Sequence, residues 1–232
     1  MRSPYELSEK QFESLLLAAA KKYDSRISRY MLRRSLAVIS NYLENYHRVF
    51  ALRVDLRFAQ SHVPGEPDLP LCFQKDDEKA ITRAIESFKS QLREEHKRSG
   101  RSGEPRPLGY IWVRERVIGE HHHYHLVLLF DKEVYAYLGN YTKSHADNMA
   151  TRIQKAWCSA IGLDYSEYTY LPHFPKNHTA WFTRDDALTL SDDYYEFLLR
   201  TAYLSKDYSK DFYDGYRNFG TSQLIQRPLS DK

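Results

Sequence analysis

The sequence predicts an α+β protein built on a ferredoxin-like or RRM-like antiparallel sheet, in the order β-α-β-β-α-β, with helices on one face and an N-terminal helical extension. Two observations carry this prediction. Apolar residues alternate with charged ones from Val49 to Phe58, which is typical of a half-buried strand. Two helical repeats of apolar residues, at 80–92 and 149–160, flank a pair of strand patterns between residues 110 and 130.

The extension is expected to cover residues 1–46 and the main domain residues 47–232. Ser8 and Gln11 have the spacing of a capping box, in which each side chain satisfies a backbone amide at the start of a helix. Helical repeats of apolar residues then continue to Leu43, with arginines between them. A structural role for these helices and a DNA-gripping role are both compatible with that pattern.

The main domain begins with the alternating strand, whose charged side carries Arg53, Asp55 and Arg57. A strand at 110–117 is expected to turn back at 117–120 into the stretch 120–130. Short strands are expected at 168–171 and 179–183. A last helix begins after Ser191, and mostly loop follows residue 207.

The composition bounds the function classes. The chain has 232 residues, 42% hydrophobic and 28% charged, as in soluble globular proteins. No apolar run approaches the length of a membrane span, and the N-terminus lacks the features of a signal peptide. Cys72 and Cys158 belong to no paired motif, which favours reduced cysteines and a cytoplasmic protein.

The net charge of +3 does not by itself indicate a nucleic-acid-binding protein, but the basic residues are clustered. Such clusters either grip phosphates or form an ordinary solvated face. The first cluster comprises Arg26, Arg29, Arg33, Arg34, Arg48, Arg53 and Arg57, and the second Lys97, Arg98, Arg101 and Arg106.

Four histidines fall within the five residues 121–125. On a strand, residues i and i+2 share a face, so His123 and His125 project together and suit a shared divalent ion. The competing interpretation is a solvated turn that binds metal only incidentally. His121 and His122 lie at the expected turn and are assigned to no metal.

The third ligand should come from a neighbouring strand. Glu115 is the best candidate because the predicted hairpin folds its strand alongside His123. Alternation along the strand does not decide to which face Glu115 points, because it places Glu115 on the same side as the apolar residues Ile111 and Val113. A bulge near the turn would change that side. A surface carboxylate paired with a neighbouring arginine is the alternative, and Asp55 is the reserve ligand.

Tyr203 and Lys206 form a Tyr-x-x-Lys at the end of the last helical pattern. A phenol normally ionises near pH ~10, so a cation on the same side of a helix would assist it as a nucleophile. Tyr194, Tyr195 and Tyr208 are rivals among the nineteen tyrosines.

Together, the His-hydrophobe-His strand and the later Tyr-x-x-Lys resemble the single-tyrosine branch of the HUH endonucleases. The segments Trp112-Val-Arg-Glu115, Tyr203-Leu-Ser-Lys206 and Arg217-Asn-Phe-Gly-Thr-Ser222 resemble inovirus-type replication initiation proteins (YagK/YfjJ-like), a phage and prophage family. This likeness extends from about Phe50 to Ser222.

The resemblance implies Mg²⁺ or Mn²⁺ as cofactor, a 5′-phosphotyrosine intermediate, and nicking and rejoining of single-stranded DNA at an origin to start rolling-circle replication. Arg53, Arg57 and Lys210 are then expected to bind DNA. No Gly-x-x-x-x-Gly-Lys motif is present, so unwinding would need a host helicase. A transposase or relaxase with the same chemistry, and a non-catalytic single-stranded nucleic-acid-binding protein, remain the alternatives.

Overall fold

A computed structural model describes residues 3–59, 73–116, 121–142, 146–207, 210 and 215–226. Helices α1 to α7 span Glu9–Tyr23, Arg29–Asn45, Ala80–Arg98, Met149–Ile161, Tyr165–Tyr168, Arg184–Thr189 and Asp192–Ala202. Strands β1 to β6 span Arg48–Leu56, Gly109–Glu115, His123–Asp131, Pro172–His173, Thr179–Thr183 and Phe219–Thr221. The Pro-rich stretch 61–74, which the sequence predicts to be a loop, lies largely outside the described residues, and Cys72 and the turn expected at 117–120 lie wholly outside them.

The helices begin where short polar side chains can cap them. Ser8 accepts from the backbone N–H of Gln11, whose side chain reaches back to Ser8, so the predicted capping box is confirmed. Ser191 caps α7 by accepting from the N–H of Tyr194. At the other end of α4, Gly162 has a φ of 78°, a left-handed conformation that glycine adopts without steric cost.

The described strands pair antiparallel in the order β4-β1-β3-β2-β6, and β5 also pairs with β1. Strands β4 and β5 share the outer edge of β1, β4 beside residues 55–56 and β5 beside residues 48–52. The order β4-β1-β3-β2 is the one that a β-α-β-β-α-β core produces. The predicted α+β class with an antiparallel sheet is therefore confirmed.

Both faces of the sheet carry helices. Helices α3 and α4 pack on the face that presents Phe50, Leu52 and Leu128. Helices α1, α2 and α7 pack on the opposite face, which we call the second face. Its apolar part consists of Val49, Ala51, Ile111, Val113, Val127 and Leu129. The expectation of helices on one face thus holds for α3 and α4, while the N-terminal helices complete a second apolar layer with α7.

The second face changes character along the strands. Burial of each Leu, Ile or Val side chain stabilises the folded state by about 1.5–3 kcal/mol. Helices therefore cover the apolar part of the second face. Beyond Val113 and Val127 the same face presents Glu115, His123 and His125. Charged and imidazole groups cannot be covered in that way without hydrogen bonds or an ion. The candidate site lies at this polar end.

Four elements differ from the sequence prediction. The aromatic stretch after Asp164 is the short helix α5 because the Asp164 carboxylate accepts from the N–H of Ser166 at 2.7 Å. The strand expected at 168–171 is not formed, and the two-residue strand β4 follows it at Pro172–His173. Helix α6 and strand β6 were not predicted.

The described part of the chain holds no helix long and apolar enough to cross a membrane.

Candidate metal centre

The register of β2 against β3 brings three potential ligands together. Glu115 lies opposite His123, and Val113 lies opposite His125. Directly opposed residues share a face, so Glu115 points to the same side as both histidines. One ligand atom from each of these three residues lies within 4.8 Å of the other two. This buried group could hold a metal ion.

The nitrogen atoms that converge are the Nε2 atoms. His125 Nε2 lies 3.3 Å from His123 Nε2 and 3.3 Å from Glu115 Oε2. The sequence did not decide to which face of the sheet Glu115 points. In the structure Glu115 points to the second face, together with Ile111, Val113 and the histidine pair. Strand β2 needs no bulge to deliver the carboxylate.

Asp55 serves the centre from the other side of His125. Strand β1 pairs with β3 so that Asp55 lies opposite His125, and the His125 Nδ1 to Asp55 Oδ1 distance is 2.6 Å. A carboxylate on the far ring nitrogen fixes the tautomer and orientation of a metal-ligating histidine. Asp55 therefore contacts the ring nitrogen of His125 that points away from the other candidate ligands, and it does not join the ligand group.

The ionisable groups of the centre shift one another's pKa values. Burial alone would raise the pKa of Asp55, but the hydrogen bond and charge of His125, and then those of Arg53, lower it to about 2. Burial likewise opposes the charged form of His125, yet its hydrogen bonds with Asp55 and Glu115 raise its pKa. Burial and the neighbouring His125 lower the pKa of His123. Asp55 and Glu115 therefore favour the charged form of His125, whereas burial and the neighbouring His125 favour the neutral form of His123.

Lys210 was predicted to bind DNA, but its side chain is fully buried. Its Nζ lies 3.6 Å from Glu115 Oε1 and donates to the backbone carbonyl of Lys206. Burial lowers the pKa of Lys210 despite the attraction of Glu115. Lys210 therefore lies behind the candidate ligand Glu115 and not on an open surface.

His121 and His122 lie apart from the centre, around the ring of Phe58. The His121 and His122 ring centroids are 5.8 Å and 4.9 Å from that of Phe58. His121 Nδ1 is 3.2 Å from Asp76 Oδ2, and His122 Nε2 is 3.1 Å from the Tyr124 hydroxyl. Neither joins the ligand group.

Tyr203 lies beside the centre, at the end of α7. Its ring centroid is 5.5 Å from that of His125, in an edge-to-face arrangement. The Lys206 Nζ lies 3.7 Å from the Tyr203 ring centroid and the Arg53 guanidinium carbon 4.8 Å from it. The predicted proximity of Lys206 to Tyr203 is confirmed, although residues 203–205 form a 3₁₀ turn and Lys206 is extended.

The N-terminal helices anchor this turn. The N–H of Ser28 donates to the carbonyl of Ser205 at 2.7 Å, and the N–H of Asp207 donates to that of Arg26 at 3.0 Å. Ile27 forms an isolated bridge with Lys206. The connection between α1 and α2 therefore fixes where Tyr203 stands.

Two of the three segments that carry the family resemblance are neighbours in space. Residues 112–115 lie in β2 and residues 219–221 form β6, which pairs with β2. Arg114 donates to the Asn218 side-chain oxygen at 3.0 and 3.1 Å. A Cβ at Gly220 would come within 2.5 Å of the Trp112 ring, so any larger residue there would force that ring or the strand to shift. Residues 112–115 and 217–222 thus form the sheet edge next to the ligand group.

The rival tyrosines occupy other places. Tyr194 is buried against Phe182 and Phe197, and burial raises its pKa. Tyr195 packs partly buried on the cluster under the second face. Tyr208 lies outside the described residues. Of the candidate nucleophiles that the structure describes, Tyr203 alone adjoins the ligand group.

Ion pairs account for most members of the two basic clusters. Arg29 and Arg33 of α2 pair with Glu13 and Glu9 of α1. The other described pairs are Arg26–Asp207, Arg48–Glu133, Arg53–Asp55, Lys97–Glu94, Arg98–Asp147, Arg101–Glu95 and Arg106–Asp131. Arg53 and Arg57 differ from the other arginines in position, because they border the centre. Arg57 Nη2 is 3.4 Å from His173 Nδ1, which in turn is 3.8 Å from Asp55 Oδ2.

Two residues at the site carried no signal in the sequence. Tyr23, at the end of α1, packs edge-to-face on Tyr203 with ring centroids 5.3 Å apart, and its hydroxyl donates to the Leu199 carbonyl. His173 reaches Asp55 through the β1–β4 pairing. Both contacts join residues more than 100 positions apart, so local spacing could not reveal them.

Comparison with known proteins places the chain among relatives of undefined activity. It is 35% identical over 187 residues to "Uncharacterized protein YagK" of Escherichia coli K12, covering 79% of this chain and 88% of that protein. It is 30% identical over 210 residues to "Uncharacterized protein YfjJ" of the same strain, covering 87% and 97%. No solved structure matches. The family model of the YagK/YfjJ C-terminal domain matches residues 8–222, and the chain belongs to that family.

Proposed function

We propose that this protein is a metal-dependent endonuclease and ligase of single-stranded DNA that uses Tyr203 as its nucleophile. One observation carries the proposal: the Tyr203 ring lies against His125 of the candidate ligand group, and two cations, Arg53 and Lys206, lie over that ring. A nucleophile, positive charge and a metal centre are the parts that phosphodiester cleavage needs. The fold class and the order of the motifs along the chain add support.

The donor set fits a divalent ion. Two imidazole nitrogens and one carboxylate leave coordination positions open. We propose Mg²⁺ or Mn²⁺ there, held by Glu115, His123 and His125. When bound, such an ion would act as a Lewis acid on the scissile phosphate. Asp55 would hold the His125 ring in the ligating orientation.

The remaining groups would carry out strand transfer. The Tyr203 oxygen forms a bond to the scissile phosphorus as its proton passes to solvent. The bond from phosphorus to the 3′ oxygen breaks, and that oxygen keeps the electron pair and takes up a proton. The products are a 5′-phosphotyrosine and a 3′-hydroxyl, and attack by a 3′-hydroxyl reverses the step and rejoins the strand. Lys206 and Arg53 would stabilise the negative charge that develops near the tyrosine.

The biological setting follows from the resemblance to phage-type replication initiators. We propose that the substrate is an origin in a phage or prophage element and that a host helicase opens the duplex. A transposase or relaxase would use the same residues, because the chemistry does not specify the purpose of the nick.

Incubation of the protein with a library of single-stranded oligonucleotides and Mn²⁺ tests the proposal. A denaturing gel should show a covalent protein–DNA band that EDTA prevents, and sequencing of the trapped strands would give the recognition site. Retention of oligonucleotides without any covalent band, under Mg²⁺ and Mn²⁺ alike, would favour a non-catalytic nucleic-acid-binding protein.

A further inference from the structure

The ammonium group of Lys210 is enclosed between the candidate ligand Glu115 and the turn that follows Tyr203. The side chains of Lys210 and Glu115 are both buried, with exposed fractions of 0% and 1%. A buried charge is costly unless its partners compensate it by opposite charge and by hydrogen bonds. The partners of Lys210 therefore show which parts of the molecule this residue holds together.

The first partner of Lys210 belongs to the ligand group. Lys210 Nζ lies 3.6 Å from Glu115 Oε1, whereas the other carboxylate oxygen, Oε2, lies 3.3 Å from His125 Nε2. One oxygen of Glu115 thus faces the lysine and the other faces the histidine pair. Glu115 belongs to β2, which pairs with β3 on one side and with β6 on the other, so this partner is fixed in the sheet.

The second partner of Lys210 is the backbone of the Tyr203 turn. The Lys210 ammonium donates to the carbonyl of Lys206. The N–H of Lys206 donates in turn to the carbonyl of Tyr203 at 3.2 Å, and its own ammonium lies 3.7 Å from the Tyr203 ring centroid. Lys210 therefore holds the residue that closes the turn and places a cation over the tyrosine ring.

We propose that Lys210 is a positioning residue that attaches the turn of Tyr203 to the candidate ligand Glu115. The connection between α1 and α2 holds the same turn through Ser205 and Asp207, and Lys210 supplies a separate attachment to the sheet. The inference rests on the proposed function only in its consequence, which is that the attachment keeps the nucleophile beside the ligand group. A displacement of about 1 Å at a reacting group typically costs ~10²-fold in rate.

Amide hydrogen exchange followed by NMR tests the attachment without metal or DNA. Lys210→Met keeps the apolar stem of the side chain and removes both contacts of the ammonium. The amides of Lys206 and Asp207 should then exchange about 10–100-fold faster, because a hydrogen bond from a charged donor is worth roughly one to two powers of ten in an opening equilibrium. Lys89→Met is the matched control, since Lys89 also pairs with a glutamate, Glu86, but lies on α3, which packs on the other face of the sheet. It should leave exchange at the turn unchanged.

A double variant covers the case in which Lys210→Met fails to fold because Glu115 is left as a buried charge. Lys210→Met with Glu115→Gln removes both charges and leaves neither unpaired. The amides of Lys206 and Asp207 should still exchange faster than in the wild type, because the donor to the Lys206 carbonyl is missing. Wild-type exchange at these two amides in either variant would overturn the proposal.

Single-turnover nicking at saturating Mn²⁺ tests the consequence for the reaction. Lys210→Met should nick up to about 10²-fold more slowly than the wild type, and Lys89→Met should nick at the wild-type rate. Faster exchange combined with a wild-type nicking rate would make Lys210 an element of the fold alone and would overturn its positioning role. Faster exchange in the variant of a protein whose wild type forms no covalent adduct would leave the attachment standing and overturn the proposed nicking.

Discussion

The two halves of the histidine stretch lie next to each other in sequence but have different surroundings. His123 and His125 extend from β3 onto the second face, where Glu115 and Asp55 meet them. His121 and His122 come before the strand and pack around Phe58. Composition does not separate the two pairs. Strand alternation and the register of the neighbouring strands do, because they decide which imidazoles face carboxylates.

The strongest test of this comparison removes each pair in turn. His123→Ala with His125→Ala should abolish metal-dependent nicking, because two of the three ligands are lost. Single-strand binding should be largely kept, since phosphate contacts fall mainly to arginines. Nicking gels and filter binding measure the two effects.

The matched double variant is His121→Ala with His122→Ala, which should keep metal-dependent nicking. Full-rate cleavage by the His123/His125 double variant in chelated buffer would remove the metal assignment.

Lys206→Ala should produce the next largest effect. It removes the ammonium 3.7 Å from the Tyr203 ring centroid but leaves the nucleophile, and one such stabilising donor is typically worth ~10²–10³ in rate. Single-turnover nicking measures the change. Lys22→Ala, which removes an exposed lysine paired with Glu196, is the control and should nick at the wild-type rate. A Lys206→Ala protein as fast as that control would place the lysine outside the chemistry.

Asp55→Asn tests the orienting carboxylate, with a smaller expected loss. Removal of a partner of this kind typically lowers metal affinity about 10–100-fold. Calorimetric titration with Mn²⁺ gives the affinity. Asp76→Asn is the matched control, because Asp76 faces His121 across 3.2 Å in the same kind of pair outside the centre. Equal affinities in the two variants would contradict the orienting role of Asp55.

The smallest expected effect concerns the arginines. Exposed ion pairs such as those of Arg29 and Arg33 contribute little to stability, and their partners offset their charge. Asp55 does the same in part for Arg53, but Arg53 also contacts His125 and so borders the candidate ligand group. Replacement of Arg53 and Arg57 by Gln should flatten the slope of log affinity against log salt by up to ~0.7 per lost contact on a single strand. The same change at Arg29 and Arg33 should alter it less, and an equal change in both would mean that the two sets do not differ in DNA binding.

The sequence predicted those parts of the site that depend on local periodicity. Alternation placed His123 with His125, and the hairpin brought Glu115 alongside them. The position of Asp55 on Nδ1 depends on the register between β1 and β3, which no local pattern encodes. The hydrogen bonds between residues 26–28 and the turn that follows Tyr203 likewise join the α1–α2 connection to the end of α7, far apart in the sequence.

The fold followed the same division. The alternating strand β1 and the long amphipathic helices were predictable because one face of each is buried. The second helical layer was not assigned to the sheet, since an amphipathic pattern in α1 and α2 does not say which surface it covers. Strand β6 has only three residues, too few for a periodic signal, and Gly220 within it reads as a breaker.

The central claim is that Tyr203 forms the covalent bond to the nicked DNA strand. Wild-type protein is trapped on its preferred oligonucleotide with Mn²⁺, digested, and analysed by mass spectrometry beside Tyr203→Phe. The account predicts a nucleotide on the peptide containing Tyr203, no adduct in Tyr203→Phe, and an unchanged melting temperature, because the ring and its contacts with Tyr23 and His125 remain. A nucleotide on Tyr208 or Tyr194, or an adduct that persists in Tyr203→Phe, would contradict it.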